Sequence, residues 1–217
     1  MLRLRGCVST NGKISAAMNE VRMIAIAGGS GSGKSYLARK LRERMPQDAV
    51  LLTLDDFYHD LSGLPEKERD VVNFDDPKAI DWKELERAVD ELMAGRQAVL
   101  PCYDFTTHTR KSEGQVVGPA KWIVLEGLWS LSDPSICQRA ACKVFIDCPS
   151  ELRLMRRIAR DTQERGRTEE SVRRQFREHV DPMHDRYVQP QGQCADVVLS
   201  ADFSDVDVEV LWQRANQ

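Results

Sequence analysis

The stretch Gly28-Gly29-Ser30-Gly31-Ser32-Gly33-Lys34-Ser35 decides the interpretation of the whole chain. It follows the pattern G-x-x-x-x-G-K-[ST], comes directly after the apolar run 23–27 and opens a helical pattern that extends to about residue 45. In this pattern backbone N–H groups converge on phosphate oxygens, Lys34 reaches the β and γ phosphates, and the Ser35 hydroxyl holds Mg²⁺. The eight residues therefore predict a nucleoside triphosphate site, the alternative being a glycine-rich turn that matches by chance.

Apolar runs alternate with helical patterns along the rest of the chain. The predicted strands of a central sheet are 23–27, 49–54, 121–125, 143–147 and 195–199. This alternation, with short runs rich in Val, Ile and Leu, favours an α/β fold with a mainly parallel sheet flanked by helices. Residues 99–103 and 115–117 predict a small β-hairpin, and the polar segment 55–80 predicts a long binding loop or lid.

Helix boundaries follow from capping and breaking residues. Asp81 followed by Glu84 predicts the start of a helix that ends at Gly95. An arginine-rich helical region begins at Ser150, breaks at Gly166 and resumes over 168–187, where we expect Pro182 to kink or end the helix. A last helix is predicted over 204–214.

Composition and charge bound the class of protein. The chain has 217 residues, 31 Lys plus Arg against 34 Asp plus Glu, and a formal charge of −3. We therefore expect no binding to nucleic acid. No apolar run approaches the roughly 18 residues of a membrane span, so we expect no membrane association. The six cysteines have no metal-ligand spacing, which favours reduced thiols and a cytoplasmic location.

The length predicts one globular domain. We divide the chain into a flexible extension, residues 1–22, and a single domain, residues 23–217. The alternative interpretation of the extension is an amphipathic targeting arm, because it contains Arg and Ser and Glu20 is its one acidic residue.

Two acids follow predicted strands at the edge where parallel sheets bind ligands. Asp55 comes directly after the second strand and is a candidate base that takes a proton from a substrate hydroxyl and also contacts the metal. Glu126 comes directly after the strand 121–125 and is a candidate Mg²⁺ ligand. The alternatives are a polar loop start for Asp55 and a helix cap for Glu126.

The chain resembles the uridine kinase (uridine–cytidine kinase) family, within the phosphoribulokinase/uridine kinase group of P-loop kinases. The residues that carry the resemblance are Gly28 to Ser35, Asp55-Asp56-Phe57-Tyr58, Asn73-Phe74-Asp75, Tyr103-Asp104-Phe105 with His108 and Arg110, Glu126-Gly127, Glu164-Arg165-Gly166-Arg167 and Ala195-Asp196-Val197. The resemblance implies a Mg²⁺-dependent kinase that transfers the γ-phosphoryl group of ATP or GTP to the 5′-hydroxyl of uridine or cytidine. It also makes a homodimer or homotetramer plausible.

The resemblance implies a role for individual residues. Asp55 would be the catalytic base with Tyr58 beside it, Asp75 would bind the ribose hydroxyls, and Tyr103 and His108 would recognise the pyrimidine. The residues implied to close around substrate and phosphates are Arg157, Arg167 and Gln175. Of the six arginines between 153 and 167, we expect at least three to be solvated or paired with acids, with Arg160 and Arg165 supporting the lid.

The chain departs from the family pattern in three places, and the first two lie near the acceptor pocket. Asp56 stands where the family usually has Ser, Asp76 where it usually has His, and residues 189–194 replace a stretch usually richer in Lys. The alternatives on the same fold are kinases for nicotinamide riboside, which the Asp55-Asp56 pair favours, for a phosphosugar such as ribulose 5-phosphate, or for pantothenate. A nucleotide-binding regulator without catalysis is the alternative from another class.

Overall fold

The computed structural model describes residues 3–4, 20–69 and 72–217. Within these residues the strands are β1 (Arg3–Leu4), β2 (Arg22–Gly28), β3 (Ala49–Thr53), β4 (Ala98–Leu100), β5 (Tyr103–Asp104), β6 (Thr109–Arg110), β7 (Gln115–Val117), β8 (Trp122–Gly127), β9 (Cys142–Asp147) and β10 (Val197–Ser200). The central sheet has the order β1-β10-β9-β2-β8-β3, with β1 antiparallel to its neighbour and the remaining five strands parallel. The predicted α/β fold is confirmed.

Helices connect and cover these strands. They are α1 (Lys34–Arg44), α2 (Glu66–Arg69), α3 (Trp82–Met93), α4 (Pro134–Arg139), α5 (Ser150–Glu164), α6 (Glu169–Gln175), α7 (Asp181–Met183) and α8 (Asp205–Ala215). Asp81 caps α3 as expected, since its side chain accepts a hydrogen bond from the Glu84 N–H at 3.1 Å. Ser204 and Asp207 form a capping box at the start of α8. No described helix has the length and apolar character needed to cross a membrane.

Strand β2 shows why the sheet is buried on both faces. Met23 and Ala25 point into a core shared with α3 and α4, whereas Ile24 and Ile26 point into a second core shared with α1 and α8. Full burial of side chains as large as Met23, Ile24 and Ile26 stabilises the fold by about 1.5–3 kcal/mol each. The five parallel strands end at one edge, which brings Gly28, Thr53 and Glu126 together.

Two details of the fold differ from the predictions. Residues 99–103 are not one strand: β4 pairs with β7, while β5 and β6 form a second, smaller hairpin between them. Pro101 separates the two, because a proline has no N–H to donate to a ladder. At Pro182, where a kink or an end was predicted, the helix does not end. Helical segments continue to Gln193, with π turns at Phe176–Val180 and His184–Val188 on either side of the proline and a 3-10 turn at Gln189–Gln193.

The predicted extension, residues 1–22, falls mostly outside the described residues, which include 3–4 and 20–22 of it. Its flexibility and the single domain 23–217 therefore stay predictions.

Candidate active site

A cleft of about 840 Å³ lies at the carboxyl edge of the sheet, below the arginine-rich helix α5. The predicted residues on its wall, apart from the glycine-rich loop, are Asp55, Tyr58, Asp75, Tyr103, His108, Glu126, Arg157, Arg167 and Gln175. From the loop itself, Ser30, Gly31, Gly33, Lys34 and Ser35 reach the wall, whereas Gly28, Gly29 and Ser32 lie behind it. One cavity thus collects residues that are far apart in sequence.

The loop between β2 and α1 has the conformation that a phosphate site needs. Gly31 and Gly33 have φ values of 82° and 103°, which side chains with a Cβ rarely adopt. Gly33 precedes α1, and no side chain caps that helix, so its first N–H groups are available to an anion. The loop fits a phosphate group at this position.

Lys34 lies at the start of α1 with its ammonium group folded over the loop. Its Nζ donates to the Gly29 carbonyl at 3.0 Å. Burial lowers the pKa of Lys34, and the carboxylates of Glu126 and Asp55 act in the opposite direction. A cation held between a phosphate loop and two acids is placed to neutralise charge on a transferring phosphoryl group.

Oxygen ligands for a divalent cation meet beside Lys34. The hydroxyls of Ser35 and Thr53 both donate to Glu126 Oε1, at 3.0 and 3.1 Å. Burial raises the pKa of Glu126, Lys34 lowers it and Asp55 raises it. No group of three or more His, Cys, Asp or Glu among the described residues could hold a metal alone. Hydroxyl and carboxylate oxygens nevertheless fit Mg²⁺, which keeps several water or phosphate ligands.

Asp55 lies in the short helical turn Leu54–Phe57 that follows β3. Burial raises the pKa of Asp55, whereas Lys34 and then Arg165 lower it. Tyr58 lies beside it, with the pKa of its hydroxyl raised well above 10 by burial and by the charges of Asp55 and Asp75. A carboxylate with a raised pKa accepts a proton more readily, which suits a general base.

A cluster of aromatic rings lines part of the cleft, and we call this part the aromatic end. Tyr58 contacts Phe74 and Tyr103 with ring centroids 5.1 and 5.3 Å apart, and Phe74 stacks on His108 at 4.6 Å and 18°. His108 has a φ of 54° in the turn between β5 and β6, a conformation that is uncommon outside glycine and enriched at functional sites. Phe105 adds an edge contact to Tyr103 at 5.3 Å.

Two of these rings were not predicted as site residues. Phe74 and Phe105 lie within sequence blocks that carried the resemblance, but no pattern in the sequence distinguishes a ring that lines a cleft from one in the core. The sequence signal that could have identified Phe105 as a cleft residue is that Tyr103 and His108 lie within three residues of it.

The unusual acids near the acceptor end have different surroundings. Asp75 lines the cleft, where burial raises its pKa and Arg157 lowers it. Asp56 does not line the cleft: its carboxylate accepts a hydrogen bond from the Tyr103 N–H, and burial raises its pKa to about 6. Asp76 caps the turn Pro77–Ala79 by accepting from the Lys78 N–H at 2.9 Å. Asp56 and Asp76 therefore support the walls of the site.

The arginine-rich segment closes the cleft from above. Arg157 donates to Ser30 Oγ at 3.0 Å and to Gln175 Oε1 at 2.9 Å, and Arg167 donates to the same Gln175 oxygen at 2.5 Å. Among the other arginines of α5, Arg153 is buried and pairs with Asp181 at 2.7 Å, and Arg156 donates to loop carbonyls at 3.3 Å. At least three of the six arginines pair with acids, as expected, since Arg160 and Arg165 pair with Asp161 in addition to the Arg153 pair, although Arg160 and Arg165 also line the cleft.

Arg110, predicted only as part of a sequence block, fastens the second hairpin to the domain. It donates to the carbonyls of Tyr58 and Phe57 at 2.8 and 3.3 Å and forms ion pairs with Glu84 and Asp81. These contacts fix the hairpin that carries Tyr103 and His108. Arg110 thus shapes the aromatic end of the cleft without lining it.

Replacement of this clamp, Arg110→Ala, is expected to lower the free energy of unfolding by about 3 kcal/mol, because it leaves partly buried acids and carbonyls without their donor. Urea denaturation measures the loss. The matched control is Arg87→Ala, which removes an exposed partner of the same Glu84 and should change stability by less than about 1 kcal/mol. Equal losses in the two variants would contradict the clamp.

This chain is similar in sequence to a known family of kinases. The sequence model of the "Phosphoribulokinase / Uridine kinase family" matches residues 23–209. A uridine kinase of Deinococcus deserti is 43% identical over 178 residues, covering 82% of this chain and 86% of that protein. A uridine kinase of Halobacterium salinarum is 37% identical over 191 residues, covering 88% of this chain and 85% of that protein.

Solved structures with lower sequence identity share the fold. Phosphoribulokinase from Rhodobacter spheroides superposes with a TM-score of 0.64 at 20% identity, covering 84% of this chain and 71% of that one. A D-glycerate 3-kinase from Cryptococcus neoformans superposes with a TM-score of 0.60 at 19% identity, covering 82% of each chain.

Proposed function

The chain belongs to the Phosphoribulokinase / Uridine kinase family, and from that premise we propose that it phosphorylates uridine or cytidine at the 5′-hydroxyl. ATP or GTP is the donor, and the nucleoside monophosphate is the product. The observation that carries the proposal is the set of groups that one cleft brings together. The phosphate loop with Lys34 and the stacked rings line the same cleft, and the charge of Asp55 acts on both Lys34 and Tyr58.

The transfer step follows from this set of groups. The 5′-oxygen of the nucleoside attacks the γ-phosphorus, the bond from that phosphorus to the β,γ-bridging oxygen breaks, and Asp55 takes the hydroxyl proton. Lys34 and the loop N–H groups stabilise the negative charge on the leaving nucleoside diphosphate. Asp75 accepts hydrogen bonds from the ribose hydroxyls, which holds the 5′-oxygen toward Asp55.

Ser35, Glu126 and Asp55 are the residues proposed to hold Mg²⁺. The ion, when bound, supplies positive charge at the phosphates. Arg157 and Arg167 close over the phosphoryl group and, together with the lid, exclude water that would otherwise hydrolyse the donor.

The aromatic end favours a nucleoside over the other acceptors. The stacked Phe74 and His108, with Tyr103 beside them, offer flat apolar faces that a pyrimidine ring can contact. A phosphosugar or pantothenate has no ring to fill these faces. The case for nicotinamide riboside rested on Asp56 next to Asp55, and Asp56 instead accepts from the Tyr103 N–H outside the cleft wall.

The test is the release of ADP from ATP and Mg²⁺ with uridine, cytidine, nicotinamide riboside, ribulose 5-phosphate, pantothenate or no acceptor, with the product mass confirmed. We expect turnover with uridine or cytidine and a mass gain of one phosphate. Turnover confined to another acceptor would overturn the pyrimidine assignment, and silence with every acceptor would favour the regulator without catalysis.

The proposed compartment is the cytoplasm. Cys102, Cys137, Cys142, Cys148 and Cys194 are all free thiols, which suits a reducing environment. The homodimer or homotetramer implied by the resemblance stays a prediction.

A further inference from the structure

A buried carboxylate lies at the centre of the lid arginines. The side chain of Asp161, on α5, has 0% exposure. Within the described part of the chain, four guanidinium groups lie within 4 Å of its oxygens, with distances of 3.4 Å from Arg157, 2.8 Å from Arg160, 3.7 Å from Arg165 and 3.7 Å from Arg167. We call Asp161 and these residues the arginine cluster. All four arginines line the cleft, and Asp161 does not.

The backbone of Asp161 holds the same segment. Its carbonyl accepts hydrogen bonds from the N–H groups of Arg165 and Arg167, at 3.3 and 3.1 Å. These bonds turn the chain at the end of α5, where Gly166 takes a φ of 62°. Side chain and main chain of one residue therefore set the positions of arginines before and after the turn.

Charge explains why a carboxylate is needed here. Guanidinium groups repel one another when they are crowded, and a central negative charge offsets part of that repulsion. Four positive charges still surround one negative charge, so the arginine cluster keeps a surplus that faces the cleft. A transferring phosphoryl group is the anion that such a surplus stabilises.

Arg160 shows how the arrangement orients a donor. Its Nε donates to Asp161 Oδ1 at 2.8 Å, and its Nη2 approaches the same oxygen at 2.8 Å. This two-pronged contact fixes the plane of the guanidinium group and leaves Nη1 for a phosphate oxygen. Arg165 lies over the ring of Phe105 at 6.0 Å, which connects the cluster to the aromatic end.

We infer that Asp161 is a positioning residue for phosphoryl transfer, which holds the arginines of the cluster, Arg160 above all, in the geometry that stabilises the transferring group. This inference rests on the proposed function. Asp161 touches neither donor nor acceptor and acts through the arginines.

The test compares Asp161→Asn, Arg160→Gln and the double variant with the unchanged protein. The asparagine keeps the volume and removes the charge. We expect kcat for uridine phosphorylation to fall about 100-fold in Asp161→Asn, because misplaced groups cost about that much in rate. The Kd for ATP should change less than about 3-fold, because two effects on ATP affinity oppose each other. The variant loses a negative charge near the phosphates, which strengthens binding, and its arginines lose their positions, which weakens it. The double variant should be no more than about 3-fold slower than Arg160→Gln, because the two residues act as a unit.

The matched control is Asp196→Asn, which makes the same change in an ion pair with Lys143. Asp196 directly precedes β10 and does not line the cleft. It should leave kcat unchanged. The inference would be overturned if Asp161→Asn lost kcat and ATP affinity in equal proportion together with a fall in melting temperature. It would also be overturned if the effects of the two substitutions on kcat multiplied in the double variant.

A second readout does not depend on turnover. Modification of arginines by phenylglyoxal, followed by mass spectrometry of peptides, should be several-fold faster for Arg160 in Asp161→Asn than in the unchanged protein or in Asp196→Asn. Equal rates would overturn the inference. If the unchanged protein phosphorylates no nucleoside, the proposed function fails, and this modification rate still tests the positioning of Arg160 separately.

Discussion

Asp55→Asn is expected to lower kcat for uridine phosphorylation by about 10³-fold while the Kd for ATP stays within about 3-fold. The amide has the size of the carboxylate and cannot accept the 5′-hydroxyl proton. Burial raises the pKa of Asp55, so the native carboxylate is a better base than a solvated aspartate, and its loss is correspondingly costly. Steady-state rates with uridine and equilibrium binding of ATP measure the two quantities.

The neighbouring acid provides the control for this change. Asp56→Asn alters a residue outside the cleft wall and keeps an oxygen to accept from the Tyr103 N–H, so kcat should remain within about 3-fold of the unchanged protein. If Asp55→Asn retained normal turnover, or lost ATP binding while turnover persisted, Asp55 would not be the base.

Lys34→Met is expected to lower kcat/KM by about 10³-fold, because one preorganised cation at the phosphates contributes that much to the rate. Methionine keeps most of the length of the side chain and removes the charge beside Glu126 and Asp55. The same loss should raise the pKa of both carboxyl groups further, since Lys34 lowers each of them in the native protein.

Lys40→Met, six residues further along α1, is the control. Lys40 pairs with Glu43 and Asp205 at 3.7 and 3.8 Å and does not line the cleft. Its replacement should leave kcat/KM within about 2-fold, as expected for a surface ion pair. Comparable losses in the two lysine variants would show that a change in net charge, rather than the position of Lys34, causes the effect.

Much of the fold and of the site follows from local sequence. The run 23–27 and the glycine-rich loop predict β2, the turn and α1, because each element follows from residues close in sequence. An apolar run predicts the strand, glycines permit positive φ in the turn, and the loop pattern precedes a helix N-terminus. Asp55 and Glu126 were predicted from their positions at strand ends, since parallel strands share one ligand-binding edge.

Other features depend on contacts between distant segments. The roles of Asp161 and Arg110 arise from partners that α5, α3 and the second hairpin bring together, and a charged residue has no sequence mark that distinguishes pairing from solvation. Of the two outcomes predicted at Pro182, a kink or an end, the end is wrong, because helical segments with π turns continue past the proline.

The most direct test of the central claim is the identity of the oxygen that receives the phosphate. Uridine and 5′-deoxyuridine, which lacks that oxygen, are each incubated with the protein, ATP and Mg²⁺, and the products are followed by ³¹P NMR. The account predicts uridine 5′-monophosphate from uridine and no phosphorylated nucleoside from 5′-deoxyuridine. Phosphate on another ribose oxygen, or equal consumption of ATP with both nucleosides, would contradict it.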